Sequence, residues 1–292
     1  MSAVKRGGYL DQNSKKRTVT IEDILIILPY LFCIFLAFRV GKLESDFKSK
    51  LEEYKKENQE MYESLRQEQI KQNVGITDYE GMKKVYLTFD DGPSVHTKEI
   101  LEILDKYNVK ATFFVTGMNV PRYDEYYRKI LEEGHSLGIH TYSHEYDEIY
   151  NSLESFQEDF NKIRDYVYHH TGEGVKLYRF PGGSINGYVS SETREQIMEW
   201  LDEEGIVYFD WNVSSGDAEK GKLSPEEIAE NCIVGVEGCN TAIVLLHDAG
   251  AKKNTVEALP LIIEGINQLD NTVFLPMDED TVAIQQINST KE

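Results

Sequence analysis

Two adjacent carboxylates, Asp90 and Asp91, stand in a turn before Gly92-Pro93, and two histidines, His140 and His144, stand four positions apart further along. Adjacent carboxylates repel unless a cation lies beside them. Histidines at this spacing can turn both rings one way across one helical turn or a compact loop. One carboxylate and two imidazoles make three protein ligands and leave positions open for water and substrate, as in a catalytic zinc site. Taken singly, Asp-Asp-Gly is an ordinary turn and His-x-x-x-His two surface histidines. What changes that reading is the company they keep at strand ends.

From about residue 75 onward, short β-rich runs alternate with helical patterns. The runs are Val85–Phe89, Ala111–Thr116, Ser136–His140, Leu177–Phe180, Val207–Asp210, Ala242–Leu246 and Val273–Leu275. Helical patterns fall at 96–107, 121–133, 152–170, 191–204, 225–236 and 255–269. This alternation predicts an α/β domain with about seven parallel strands. Roughly 200 residues of it suit a closed or nearly closed barrel better than two domains, with an open doubly wound sheet as the alternative. Barrel enzymes work at the C-terminal ends of their strands. Five predicted strand ends carry ionisable groups there: Asp90 and Asp91; His140 and His144; Arg179; Asp210 with Asp217 beyond it; and His247 with Asp248. No glycine-rich phosphate loop is present, so nucleotide chemistry has no support.

The 292 residues are 40% apolar and 28% charged, enough for a buried core and against wholesale disorder. Net charge is −20, which argues against a nucleic-acid partner. The charge is uneven: residues 1–23 are net positive, whereas residues beyond 72 carry −22. Residues 24–41 are uncharged up to Arg39, a length that suits a transmembrane signal anchor with Arg39 snorkelling to the head groups. The basic residues ahead of it place 1–23 in the cytoplasm and the rest outside the membrane. Residues 42–74 read as a helical stalk. Phe47, Leu51, Tyr54, Asn58, Met61 and Leu65 form a heptad stripe along it that would pair two copies as a short coiled coil. The remaining 75–292 form the catalytic domain. Cys232 and Cys239 are read as two thiols, or as a disulfide if the body lies outside the cell. His169-His170 and the tyrosine-rich run 123–127 are read as solvated helix surface, and no catalytic role falls to His96 or His135.

Over Lys84–Pro276 the chain resembles the polysaccharide deacetylases, family 4 of the carbohydrate esterases. Thr88-Phe89-Asp90-Asp91-Gly92-Pro93 and His140-Thr141-Tyr142-Ser143-His144 match the family's first two motifs. Arg179-Phe180-Pro181-Gly182-Gly183 resembles the third, and Val244-Leu245-Leu246-His247 the fifth. The resemblance implies a deformed (β/α) barrel and removal of an N-acetyl group from an amino sugar. It implies Asp91, His140 and His144 as ligands of a divalent metal, usually Zn2+, with Co2+, Ni2+ or Mn2+ as alternatives. Asp90 would be the general base, held by Arg179, and His247 the general acid, tuned by Asp217. The Gly182 N–H would face the oxyanion. Two family aromatics are missing, since Gly182 and Ala218 stand where tyrosine and tryptophan are usual. Trp211 would replace some of that wall or else be a core tryptophan, and Leu245 would receive the acetyl methyl or else be a plain core leucine. A paired Asp90 and a His247 placed as acid suit hydrolysis better than iron(II) oxygen chemistry with the same ligand triad.

Anchor, stalk and resemblance together lead to a cell-envelope polysaccharide as substrate, peptidoglycan N-acetylglucosamine first. Exopolysaccharide, chitooligosaccharide and acetyl xylan are the alternatives within enzymes, and an inactive wall-binding or assembly protein is the alternative outside them.

Overall fold

The computed structural model describes residues 35, 36, 38–43, 45–50, 53, 56, 79–219 and 222–286. The chain divides into two units, residues 1–69 and 70–292. In the first, the described residues between 35 and 56 are helical. Most of the predicted anchor at 24–41, and of the predicted stalk at 42–74, lies outside the described residues. Among the described residues no helix is long and apolar enough to cross a membrane.

The second unit is built on one parallel sheet. Its strands are β1 Lys83–Asp90, β2 Thr112–Thr116, β3 Ser136–Thr141, β4 Leu177–Tyr178, β5 Val207–Tyr208, β6 Val213–Ser214, β7 Thr241–His247 and β8 Thr272–Phe274. The helices are α1 Thr97–Lys106, α2 Glu125–Glu132, α3 Tyr146–Ile149, α4 Leu153–Thr171, α5 Ser191–Glu203, α6 Pro225–Glu237 and α7 Lys253–Ile266. The strand order is β5-β4-β3-β2-β1-β7-β6, with β8 beside β1. β7 pairs along most of one side of β1, while β8 takes its first three residues and β2 its last three on pairings of their own.

The sheet has eight strands rather than the predicted seven. The additional one, β6, has only two residues, too few to show an alternation. It exists because Val213 and Ser214 find register opposite Val244 and Leu245 of β7. The four-residue α3 was also unpredicted. No ladder joins β5 to β6 among the described residues, so the sheet curls as a half-barrel, consistent with a deformed (β/α) barrel. The chain passes from β5 to β6 across this seam, and the C-terminal segment lies along it. Asp210 N–H donates to Ile284 O at 2.8 Å, and Gln286 N–H donates to Asp210 Oδ2 at 2.9 Å.

Alternation along the strands sorts the side chains into two cores. Val85, Leu87, Phe89, Phe113, Val115, Ile139, Val244 and Leu246 face outward and pack against helices. Tyr86, Phe114, Leu177, Phe209 and Ile243 face the concave interior, closed by Met277, a cluster with no helix residue. Continuing that inward period places Thr88 and Asp90, His140, Arg179, and Leu245 and His247 on the interior side. The helices have local reasons to start. Ser152 and Ser224 cap α4 and α6 with capping boxes to Ser155 and Glu227, and Pro225 opens α6. α4 stops at Gly172, whose φ of 75° suits glycine. Tyr127, read as helix surface, is instead core: it is buried and its hydroxyl donates to Thr116 O at 2.6 Å. His170 likewise is packed between Tyr166 and Tyr127 rather than solvated. Cys232 and Cys239 are both free.

Candidate metal and acid-base centre

Asp91, His140 and His144 converge, with one ligand atom from each lying within 4.8 Å of the others. Asp91 sits in the turn after β1 at φ 73°, and His144 in the turn after β3 at φ 60°. Two of the three ligands therefore hold a left-handed backbone that non-glycine residues rarely adopt, a cost that recurs at functional sites.

His140 Nδ1 donates to Arg179 O at 2.7 Å. A carbonyl can only accept, so the proton is on Nδ1 and Nε2 presents a lone pair. That lone pair faces Asp91 Oδ1 at 3.7 Å, with His144 Nε2 at 3.3 Å from the same oxygen. The buried Asp91 Oδ1 has no hydrogen-bond donor. A buried carboxylate oxygen approached by imidazole nitrogens, and donated to by none of them, is unfavourable as it stands. A divalent cation among the three atoms removes the conflict, and the donor set suits zinc. Burial would raise the Asp91 pKa, but His144 beside it and the charges of His140 and His247 outweigh burial and hold it well below the usual carboxylate range.

Asp90 is nearly fully buried and is paired with Arg179, whose Nη1 donates to Asp90 Oδ1 at 2.9 Å and to Thr88 Oγ1 at 2.6 Å. Arg179 is itself wholly buried. Its Nε donates to Phe209 O at 3.1 Å, its Nη2 to Asp210 O at 3.2 Å, and its guanidinium lies over Phe114 at 4.3 Å. Burying a guanidinium is tolerable only when its donors are met like this.

Across the site, His247 Nδ1 and Asp217 Oδ1 are 2.7 Å apart. Asp217 Oδ2 accepts from the His247 backbone N–H at 3.0 Å and from Thr255 Oγ1 at 2.8 Å. Lys252 Nζ donates to Asp217 O at 2.7 Å, fixing the loop. Burial would lower the His247 pKa, but the hydrogen bond and charge of Asp217 outweigh it and raise it. Asp217 correspondingly stays ionised, lowered by His247, Thr255 and Lys252 against burial. With Nδ1–H held by Asp217, Nε2 is the atom left to exchange a proton.

The other sequence-predicted residues divide. Gly182 has φ 75° and lies against Tyr146, and among the described residues no acceptor meets its N–H. Trp211 is half-buried, 5.8 Å from the Arg179 guanidinium and close to Gly183. Leu245 is two residues before His247 on β7, on the interior face and 8% exposed.

Two strand-end acids are not part of the reactive cluster. Asp210 is fully buried and used up in holding backbone: it accepts from Ser184 N–H and Oγ and from Gln286 N–H. Asp248 is fully buried and accepts from Ser94 Oγ at 2.6 Å and Thr97 Oγ1 at 2.5 Å. It lies against Gly92, where a Cβ would come within 2.4 Å of its Oδ2. Asp248 thus braces the turn that carries Asp91. Burial pushes its pKa up to about 6 against the pull of the two hydroxyls.

Sequence reasoning missed Asp159. From α4 it accepts Thr141 Oγ1–H at 2.6 Å and Tyr142 N–H at 2.8 Å on Oδ2, and Ser143 N–H and Oγ–H at 2.9 and 2.8 Å on Oδ1. Four donors from the turn between His140 and His144 end on one side chain. The only sequence signal was an acid on the inner side of an amphipathic helix.

Residues 78–199 match the family described as Polysaccharide deacetylase. The chain is 32% identical to YheN of Bacillus subtilis over 68% of this chain and 67% of that protein. It is 31% identical to a peptidoglycan-N-acetylglucosamine deacetylase of Bacillus cereus over 64% of this chain and 66% of that protein. It therefore spans about two thirds of the length of these relatives. Among solved structures, the catalytic domain of peptidoglycan N-acetylglucosamine deacetylase from Eubacterium rectale is 38% identical. The match has a TM-score of 0.66 and covers 70% of this chain and 93% of that one.

Proposed function

The chain belongs to the polysaccharide deacetylase family, hydrolases acting on N-acetyl groups, and on that premise we propose that it is a metal-dependent N-deacetylase of a cell-envelope amino-sugar polymer, peptidoglycan N-acetylglucosamine first. The observation that carries the proposal is Asp91 Oδ1, buried without a donor between two imidazoles.

Asp91, His140 and His144 would hold the ion. Bound there, a divalent metal supplies Lewis acidity and an acidified water. The residues around it have defined tasks in amide hydrolysis. Arg179 engages Oδ1 of Asp90 and orients the carboxylate, so that Asp90 can take the proton of the attacking water. The Gly182 N–H donates to the oxyanion that forms at the amide carbon. His247, whose pKa Asp217 raises against burial, delivers a proton from Nε2 to the departing amine nitrogen. Relatives named as peptidoglycan N-acetylglucosamine deacetylases support this choice of polymer.

Acetate release by the full chain on peptidoglycan, chitooligosaccharide and acetyl xylan, with and without Zn2+, tests the reading. Zinc-dependent release from peptidoglycan is expected; release from acetyl xylan alone would replace the substrate. We further propose anchoring through residues 24–41 with the catalytic domain outside the membrane. A reporter fused after residue 41 should then be found outside the cell, and a cytoplasmic signal would reverse that topology.

A further inference from the structure

Tyr188 is a large aromatic side chain left 61% exposed, yet it is held in place. Asn186 Oδ1 accepts from the backbone N–H of Tyr188 at 3.0 Å, and Asn186 Nδ2 donates to Gly183 O at 2.8 Å. Arg194 Nη2 donates to the carbonyls of Asn186 and Val189, bracing the loop from outside. The Tyr188 ring lies on that of Tyr146, with centroids 4.5 Å apart and planes tilted by 38°. Tyr146 in turn meets His144 edge-on, at 5.2 Å and 90°. A Cβ at position 182 would come within 3.0 Å of Tyr146 Cε1, so the Tyr146 ring fills the space a side chain at 182 would need. Neither phenol hydroxyl has a hydrogen-bond partner among the described residues. The pair thus combines a rigid apolar face, two polar tips and direct contact with a candidate metal ligand.

We propose that Tyr146 and Tyr188 form a wall on which a pyranose ring of the polymer stacks beside Asp91, His140 and His144, doing from α3 and the 181–189 loop what an aromatic side chain at position 182 would do. A pyranose presents C–H faces to the rings and hydroxyls to their tips, and a tyrosine loses little rotamer freedom on contact. The occupant follows from the deacetylase reading above, on which this inference rests.

The test uses the full chain and a tetramer of N-acetylglucosamine. Equilibrium binding to the zinc-free protein is measured for wild type, Tyr188→Ala and Tyr188→Phe. KM and kcat for acetate release are then measured with Zn2+ added. Tyr188→Ala should weaken binding and raise KM on the order of tenfold, with a smaller fall in kcat, while Tyr188→Phe keeps the affinity because the ring remains. Tyr188 is exposed, so its truncation should leave the thermal midpoint in place. Unchanged binding and KM in Tyr188→Ala would overturn the wall, as would a wild type that does not bind the tetramer. Binding that is weakened by Tyr188→Ala in a chain that releases no acetate would retire the deacetylase reading and leave the wall standing.

Discussion

Asp159 Oδ1 takes both the backbone N–H and the hydroxyl of Ser143, at 2.9 and 2.8 Å. A helix residue in this way sets the backbone of the turn that ends in His144. Together with the bonds of Oδ2 to Thr141 and Tyr142, it offsets the positive φ that His144 must hold. Removing the carboxylate should release the turn while leaving the imidazoles themselves untouched. Asp159→Ala is expected to lower zinc affinity by roughly 10- to 100-fold, the usual effect of losing a group that orients metal ligands. Competition with a chelator of known affinity measures it; an unchanged zinc affinity would show that the turn holds its shape alone.

The metal ligands and the base should separate cleanly. His140→Ala removes one of three ligands and should abolish both zinc binding and acetate release. Asp90→Asn is close in shape, keeps an oxygen toward Arg179, and should retain zinc while turnover falls by at least about 100-fold. Loss of zinc in Asp90→Asn would mean that Asp90 and Asp91 have exchanged roles.

The Asp217–His247 pair makes a prediction in pH. Burial depresses the His247 pKa, and Asp217 more than restores it. An acid with a raised pKa stays protonated to higher pH, so the alkaline limb of the kcat profile moves up. Asp217→Asn removes the charge and leaves burial unopposed. The alkaline limb should then shift to lower pH, with kcat falling most at the alkaline end. A profile that only drops in height would assign Asp217 to structure rather than to tuning.

Asp248 should be felt in stability. Its folded pKa of about 6 lies above the ordinary carboxylate value, so burial favours the protonated form. The stabilisation associated with that proton is complete below the unfolded pKa near 4 and is lost as pH rises through 6. Two units correspond to about 3 kcal/mol. Asp248→Asn, neutral throughout, should flatten the dependence of unfolding free energy on pH between 4 and 7, as read by chemical denaturation. An equally steep curve in the variant would locate the effect elsewhere.

Arg179 is bound through Nε, Nη1 and Nη2 to four different acceptors. Arg179→Met keeps much of the volume but strands Asp90 as a buried, unpaired charge. A loss of about 3 to 5 kcal/mol in stability is expected, along with loss of activity. Arg179→Lys should recover only part of it, because one ammonium cannot reach those acceptors together.

Much of this centre was legible in the linear chain. Apolar runs bounded by turn residues located most strands, and reading the residue after each one brought out Asp90, Asp91, His140, His144, Arg179 and His247. Spacing could do this because a parallel sheet with helical crossovers delivers all strand ends to one face, whatever the crossovers contain. Asp217 also stood beyond a strand end, but its pairing with His247, like the place of Gly182, came with the motif resemblance. β6 and α3 were not legible, since two or four residues carry no period and their conformation is imposed by β7 and by the turn after His144.

Only the tertiary structure separated acids of equal standing in the sequence. Asp90, Asp210 and Asp248 all follow strands, but Asp210 faces Ser184 and the C-terminal segment, and Asp248 faces the hydroxyls of Ser94 and Thr97. Asp159 looked like any acid on an acidic helix until four donors from a distant turn closed on it, and Tyr127 looked exposed until its hydroxyl reached Thr116. Tyr146 and Tyr188 likewise meet only when α3 and the 181–189 loop fold together. Residue type and spacing determine which groups can do chemistry and which end of the sheet they reach. Which of them is desolvated, paired or left facing a neighbour depends on contacts between segments far apart in the chain, and these arise only when the sheet curls and its loops pack.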